Sequence, residues 1–288
     1  MKIEYHNGTG LLAVIGDPIA HSLSPLLQNT MIGALGREDL YLAIRVEKGN
    51  LPAFLQAAKT IGIQGFNLTM PHKEDILPYL SALTPEARRA GSVNSVRLLD
   101  GKLEGHSTDG IGFRRSLSDL GYDFQDQVVT ILGAGGAAKS IAMTAADSGA
   151  KQVRILNRTL KKAEQICAGT PNMAAFPLSH AEEVLPDTDI LINTTPVGME
   201  GTDAHGSFPF LPALQSGAPA VDCIYAPAMT PFMSAAKVLG HPVANGIGML
   251  VYQAIYAYAF FRQLELEPET VSQLGQLLLN ATGISPTG

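Results

Sequence analysis

The stretch QVVTILGAGGAAKSIAMTAADSGA, residues 127–150, limits the fold more than any other part of the chain. A β-branched apolar run leads into a glycine turn, and the turn leads into a pattern that suits a helix. Strand, glycine turn and helix in that order make half of a β-α-β unit, which requires a parallel sheet covered by helices. Glycines at 133, 135 and 136 permit a tight turn and let backbone N–H groups approach a pyrophosphate at the helix N-terminus. The third glycine of the G-x-G-x-x-G pattern is Ala138 here, a variant that the helix–strand contact admits. Taken alone, the turn also fits a strand-to-helix connection that holds no ligand.

The following strand, KQVRILNRT, ends at residues 157–159. A site for NAD would place Asp or Glu here, roughly 20 residues on from the glycines, to bond the ribose 2′-hydroxyl. The chain instead offers Asn157, Arg158 and Thr159, with Lys161 and Lys162 just beyond. A guanidinium matches a 2′-phosphate in geometry and charge, whereas a carboxylate would repel it. The turn therefore points to NADP rather than NAD; a solvated basic turn is the plain alternative.

Before residue 126 there is an earlier alternation. LLAVIG (11–16) reads as a buried strand, and SPLLQNTMIGALG as a helix with Ser24 as N-cap, Pro25 at the first helical position and Gly36 as the stop. YLAIRV, NLPAFLQAAKTIG and IQGFNLT continue as strand, helix and strand. KEDILPYL and PEARRAG look helical, and SVNSVRLLDGKLEGHSTD reads as two strands joined at Asp100-Gly101. After the glycine turn, TDILINTTP and APAVDCIY are further strands, and the last part of the chain is helical in pattern. A length of 288 residues accommodates two such domains.

Composition excludes several classes. With 46% apolar and 16% charged residues the chain is globular. A net charge of −6 with no Lys/Arg block argues against nucleic acid as a partner. The two cysteines, Cys167 and Cys223, lack CxxC or His spacing, so neither a disulfide framework nor a metal site is expected, and a reducing compartment fits. Residues 1–18 lack the apolar core of a leader. The run GMLVYQAIYAYAFF is too short to span a bilayer and carries Gln253 in its middle. No membrane association and a cytoplasmic location are expected.

The first half also sets polar residues at strand ends: Ser22 and Ser24 in HSLSP, Asn67 and Thr69 in NLTMP, Lys73, Asn94 in GSVNS, and Asp109 in STDG. Hydroxyls and amides suit a polyhydroxylated substrate. Each has a dull reading too: Ser24 a helix cap, Asn94 a turn residue, Asp109 the first residue of a helix. Gln253, polar within an apolar helix, needs a partner, whether backbone, water or a ligand hydroxyl.

Together these segments resemble the shikimate dehydrogenase family over nearly the whole chain: the S-x-S of HSLSP, NLTMPHK, GSVNS, TDGIGF, GAGGAAK, NRT, NTTPVGM, DCIYAPAMTP and GIGMLVYQ. The resemblance implies NADP-dependent, reversible reduction of 3-dehydroshikimate to shikimate in the pathway to aromatic amino acids. It implies an α/β protein with a mixed substrate domain (1–108), a Rossmann-like NADP domain (109–240), and C-terminal helices (241–288) that pack back on the first. It places the catalytic pair on Lys73 and Asp109. It puts Ser22, Ser24, Asn67, Thr69, Asn94, Tyr225 and Gln253 around the substrate. Gly133, Ala134, Gly135, Gly136, Ala137, Asn157, Arg158, Thr159, Lys162 and Gly246 would surround the cofactor. An ordinary lysine is an ample proton donor but a poor base, so proton transfer and oxyanion stabilisation both stay open as roles for Lys73. The assembly is expected to be a monomer or homodimer.

Three departures from the family pattern stand out. Ser107 replaces the usual Asn beside Asp109, Lys162 replaces an arginine, and the chain has no tryptophan where one is common near the end. They leave quinate as a rival substrate. A non-catalytic metabolite sensor is the rival from another class, and it predicts loss of Lys73 or Asp109, both of which are present.

Overall fold

The computed structural model describes residues 8–200 and 207–287. Residues 1–7, part of the segment read as lacking a leader's core, lie outside the described residues. Backbone contacts divide the chain into two units: residues 1–108 with 251–283, and residues 109–250 with 284–288.

The first unit begins β1 (Gly10–Gly16), α1 (Ser24–Ala34), β2 (Asp39–Arg45), α2 (Leu51–Ile61) and β3 (Ile63–Leu68). It continues through a one-turn α3 (His72–Asp75), β4 (Ala82–Leu83), α4 (Pro85–Ala90), β5 (Ser95–Leu99) and β6 (Lys102–His106). The strands form one sheet in the order β2-β1-β3-β5-β6-β4. β1 runs parallel to β2 and β3, while β5 runs antiparallel to β3 and to β6. The hairpin between β5 and β6 turns at Asp100 (φ 49°) and Gly101 (φ 74°), the two left-handed residues that a tight hairpin turn needs. α2 buries Leu51, Phe54, Leu55 and Ala58, the i, i+3, i+4, i+7 stripe of an amphipathic helix. Phe54 meets Phe66 of β3 edge-on at 5.1 Å.

One local expectation is corrected. Ser24 is not the cap of α1: the cap position is Leu23 and Ser24 is already helical. The Ser24 N–H, one of the helix's unpaired donors, reaches the Ser22 hydroxyl at 3.3 Å, and Leu27 N–H bonds Leu23 O. With Ser22 serving the first turn from outside, the helix starts one residue earlier.

The second unit runs α5 (Asp109–Asp119), β7 (Val128–Leu132), α6 (Gly136–Asp147), β8 (Gln152–Asn157), α7 (Leu160–Cys167) and β9 (Met173–Pro177). Next come α8 (Ala181–Val184), β10 (Ile190–Asn193), β11 (Ala220–Asp222), α9 (Pro231–Val238) and β12 (Val243–Ala244). The strand order is β12-β11-β10-β7-β8-β9, with every pair parallel. This is the doubly wound order whose direction reverses between β7 and β10. Alternate residues feed two cores. Val129, Ile131, Val153, Ile155 and Ile192 pack with Ile141 of α6 on one face. Leu132, Leu156 and Leu191 pack with Leu185, Phe232 and Ala236 on the other.

α10 (Ile247–Arg262) and α11 (Pro268–Thr282) close the chain. From Val251 onward they belong to the first unit. There α11 packs on α1, and Gln28 of α1 donates to Ala254 O at 3.0 Å. Arg262 and Tyr258 bond Asp39 at the start of β2.

Candidate active site

In the first unit the polar residues gather at one sheet edge. β1 and β3 are parallel and β6 points the same way, so the chain leaves all three strands at their shared carboxyl edge. Ser22 and Ser24 follow β1, Asn67 lies near the end of β3 and Thr69 just after it, Lys73 lies in α3, and Asn94 enters β5 from that edge. Ligands in open α/β sheets bind at this kind of edge.

Asn94 is the hub. Its backbone N–H donates to His106 O and its carbonyl accepts from Leu68 N–H, joining the ends of three strands. Its Oδ1 accepts Thr108 N–H at 2.8 Å, and its Nδ2 donates to the Thr108 hydroxyl at 2.9 Å and to Gln253 Oε1 at 3.3 Å. Gln253 thus has a side-chain partner in the same unit. Asp109 follows Thr108 in the chain and is 4% exposed. Lys73 is tied to the same cluster through its carbonyl, which accepts from Val93 N–H at 2.9 Å. His72, fully buried, holds α3 from the other side by a 2.7 Å bond between its Nε2 and Val46 O.

Hydrogen bonding sorts the other candidates. Asn67 is bonded into the frame: Tyr41 Oη donates to its Oδ1 at 2.6 Å, and its Nδ2 donates to Asn94 O and Ser95 Oγ. Burial pushes the Tyr41 phenol well above its ordinary pKa. The hydroxyls of Ser24 and Thr69 have no hydrogen-bond partner among the described residues. Tyr225 belongs to the second unit. Its hydroxyl is likewise unpartnered among the described residues, and burial raises its pKa. Three hydroxyls thus remain available while the amides build the frame.

In the second unit the cofactor candidates share the carboxyl edge of the parallel sheet, around the switch between β7 and β10. Gly133 has φ 107°, and a Cβ there would stand 2.6 Å from Thr194 Oγ1, so only glycine fits the turn. Gly135 is the N-cap of α6 without a side-chain cap bond, and no atom lies within 4 Å of where its Cβ would be. The space beside Gly135, at the start of the helix whose first turn holds Gly136 and Ala137, is thus open. Ala138 is fully buried at the helix–sheet contact. At the end of β8, Asn157 donates to Thr159 O at 2.9 Å. Arg158, Thr159 and Lys162 are exposed, and Arg158 makes no ion pair among the described residues. Gly246 N–H bonds Ile224 O, and a Cβ on Gly246 would meet Cys223 O at 2.0 Å. The open helix terminus, the unpaired guanidinium and the lack of a carboxylate after β8 fit a dinucleotide with a 2′-phosphate.

Tyr41, Ser95 and Thr108, which organise the first edge, were not candidates in the sequence, nor were Asn193, Thr195 and Asp222 in the second unit. A tyrosine on a buried strand and a carboxylate ending one were the available signals, since each must find partners. No group of three His, Cys, Asp or Glu among the described residues is placed to hold a metal.

Two family models match the chain: "Shikimate dehydrogenase substrate binding domain" over residues 14–96 and "Shikimate / quinate 5-dehydrogenase" over residues 116–198. A protein of Methanococcoides burtonii named shikimate dehydrogenase (NADP(+)) is 42% identical over 248 residues, 86% of this chain and 90% of its own. The structure is similar to that of shikimate dehydrogenase from Aquifex aeolicus, with TM-score 0.84, 31% identity, and 94% and 99% of the two chains covered. It is also similar to shikimate 5-dehydrogenase from Thermus thermophilus in complex with NADP(H) and shikimate, with TM-score 0.81, 33% identity, and 94% and 100% covered.

Proposed function

The chain belongs to the shikimate dehydrogenase family, and we propose that Lys73 and Asp109 are the catalytic pair with which it performs the family's reaction. It is an NADP-dependent oxidoreductase that reversibly reduces 3-dehydroshikimate to shikimate in aromatic amino acid biosynthesis. NADPH, when bound, supplies the hydride for the ketone carbon.

The residues of the chain supply the rest. As the carbonyl carbon is reduced, its oxygen gains negative charge and needs a cation and then a proton. Lys73 provides both, and Asp109 balances and orients its ammonium. In the oxidative direction Lys73 takes the hydroxyl proton back. Ser22, Ser24, Asn67, Thr69, Asn94, Gln253 and Tyr225 bind the substrate, with the free hydroxyls of Ser24, Thr69 and Tyr225 as direct contacts and Asn67 also bracing Asn94. The glycine turn from Gly133 to Ala137 takes the pyrophosphate, Arg158 and Lys162 the 2′-phosphate, Asn157 and Thr159 the ribose, and Gly246 the nicotinamide half. The observation that carries this reading is the Asn94 hub, which bonds Leu68, at the strand end ahead of Lys73, and Thr108, the residue ahead of Asp109.

The working assembly is a monomer or homodimer in the cytoplasm, with neither nucleic acid nor membrane as a partner. No helix among the described residues is long and apolar enough to cross a membrane.

The test is one spectrophotometric matrix in which shikimate and quinate are each offered with NADP⁺ and NAD⁺. NADPH formation with shikimate supports the reading. Turnover mainly with quinate or NAD⁺ overturns the specificity, and silence in all four combinations with shikimate binding intact favours a sensor.

A further inference from the structure

We propose, on the reading of the second unit as an NADP site, that Asp222 is a positioning residue that holds the loops after β10 and β11 in their ligand-binding arrangement. Asp222 ends β11 and is fully buried. Among the described residues its carboxylate is met only by neutral donors: Oδ1 accepts from Asn193 Nδ2 at 3.1 Å and Ile224 N–H at 3.0 Å, and Oδ2 accepts from the Thr230 hydroxyl at 2.7 Å. A buried carboxylate with no cation is costly, and a neutral or apolar residue would be cheaper there. What a carboxylate offers in return is acceptor capacity on both oxygens and no donor.

That property fixes its neighbours. Because Asp222 can only accept, the amide hydrogens of Asn193 must point to it, and Asn193 must turn its oxygen the other way. That oxygen accepts the N–H of Thr195 at 3.1 Å and its hydroxyl at 2.7 Å. Thr195 Cγ2 lies 3.1 Å from where a Cβ on Gly133 would stand, so the placement of Thr195 sets the room beside the glycine turn. On the other side, Asp222 anchors the N–H of Ile224, the residue before Tyr225. Its third donor, Thr230, caps α9 by accepting Met233 N–H at 3.2 Å. One carboxylate therefore holds the neighbour of the cofactor turn and the base of the Tyr225 loop.

The test compares Asp222→Ala, Asp222→Asn and Asn193→Ala in the full chain. NADP⁺ affinity is read by calorimetric titration, shikimate KM by initial rates, and folding by thermal melts. Loss of charge-assisted bonds predicts that Asp222→Ala weakens NADP⁺ binding and raises the shikimate KM, each about ten-fold or more. Asp222→Asn can still accept from Asn193 and Ile224 through its one oxygen but loses the acceptor for the Thr230 hydroxyl, so it falls between the parent and the Ala variant in both. Asn193→Ala weakens NADP⁺ alone. A lowered melting temperature with unchanged NADP⁺ affinity in Asp222→Ala overturns the proposal, as does an Asn variant as impaired as the Ala variant. If Asp222→Ala does not fold, unchanged NADP⁺ affinity in Asn193→Ala overturns it. A parent protein that does not bind NADP⁺ sinks the underlying reading instead.

Discussion

Asn94 and Thr108 are bonded through both backbone and side chain: the Asn94 oxygen accepts the Thr108 N–H at 2.8 Å and the Asn94 amide donates to the Thr108 hydroxyl at 2.9 Å. The residue that follows Thr108 is Asp109, so this pair sets the point from which the proposed catalytic carboxylate departs. Thr108→Val keeps the backbone bond and removes the hydroxyl. It should cost about 1 kcal/mol in urea unfolding and lower turnover more than it raises the shikimate KM. Unchanged turnover would mean that the backbone bond alone suffices.

Tyr41→Phe removes the 2.6 Å bond to Asn67 and keeps the ring. Loss of a buried hydrogen bond predicts a destabilisation of about 1 kcal/mol. Its kinetic effect should fall on the shikimate KM and leave NADP⁺ affinity as it was, because Asn67 belongs to the first unit's edge. A change in NADP⁺ affinity would contradict that assignment.

Arg158→Ala tests cofactor choice. The side chain is exposed and unpaired among the described residues, so its removal should leave the melting temperature in place. Affinity for NADP⁺ should fall about ten-fold to a hundred-fold, the worth of a charge-assisted bond, while NAD⁺ binding holds. Equal losses for the two cofactors would make Arg158 a structural residue.

Asp222 predicts a pH signature. Burial raises its carboxyl to about 6, against the bonds from Thr230, Ile224 and Asn193, which lower it. A raised acid binds its proton in the folded state where the unfolded chain has already released it, so stability falls as pH rises from the ordinary carboxylate range to about 6. Asp222→Asn carries no such penalty. Relative to the parent its stability should rise across that window by about 3 kcal/mol, the size of a shift of some two units, as read from chemical denaturation at a series of pH values. Parallel curves for the two proteins would refute it.

The sequence made the second unit legible because its signals are local. A β-branched run, a glycine turn and a helix are contiguous in residues 127–150, and the exposed Arg158 needs no partner to be recognised. The first unit's polar residues could be named but not ranked. Asn67 is bonded by Tyr41, 26 residues away, and one partner of Gln253 is Asn94, 159 residues away. Ser24 was misread as a cap because S-P before an apolar run is the ordinary start signal. The competing hydroxyl of Ser22, two residues upstream, became visible only in the turn it makes. Asp222 was hidden for a similar reason, since Asn193, 29 residues away, and Thr230, 8 residues away, must both reach it before a buried carboxylate has a role.

The most direct measurement is the steady-state kinetics of Lys73→Ala with shikimate and NADP⁺, on protein shown by its melt to be folded. Loss of an acid–base group that also stabilises the oxyanion predicts a fall in kcat of about 10²–10⁴-fold. The shikimate KM should change far less, since Lys73 acts on the charge that develops in the transition state. A kcat equal to that of the parent would remove Lys73 from the mechanism, and with it the proposed catalytic pair.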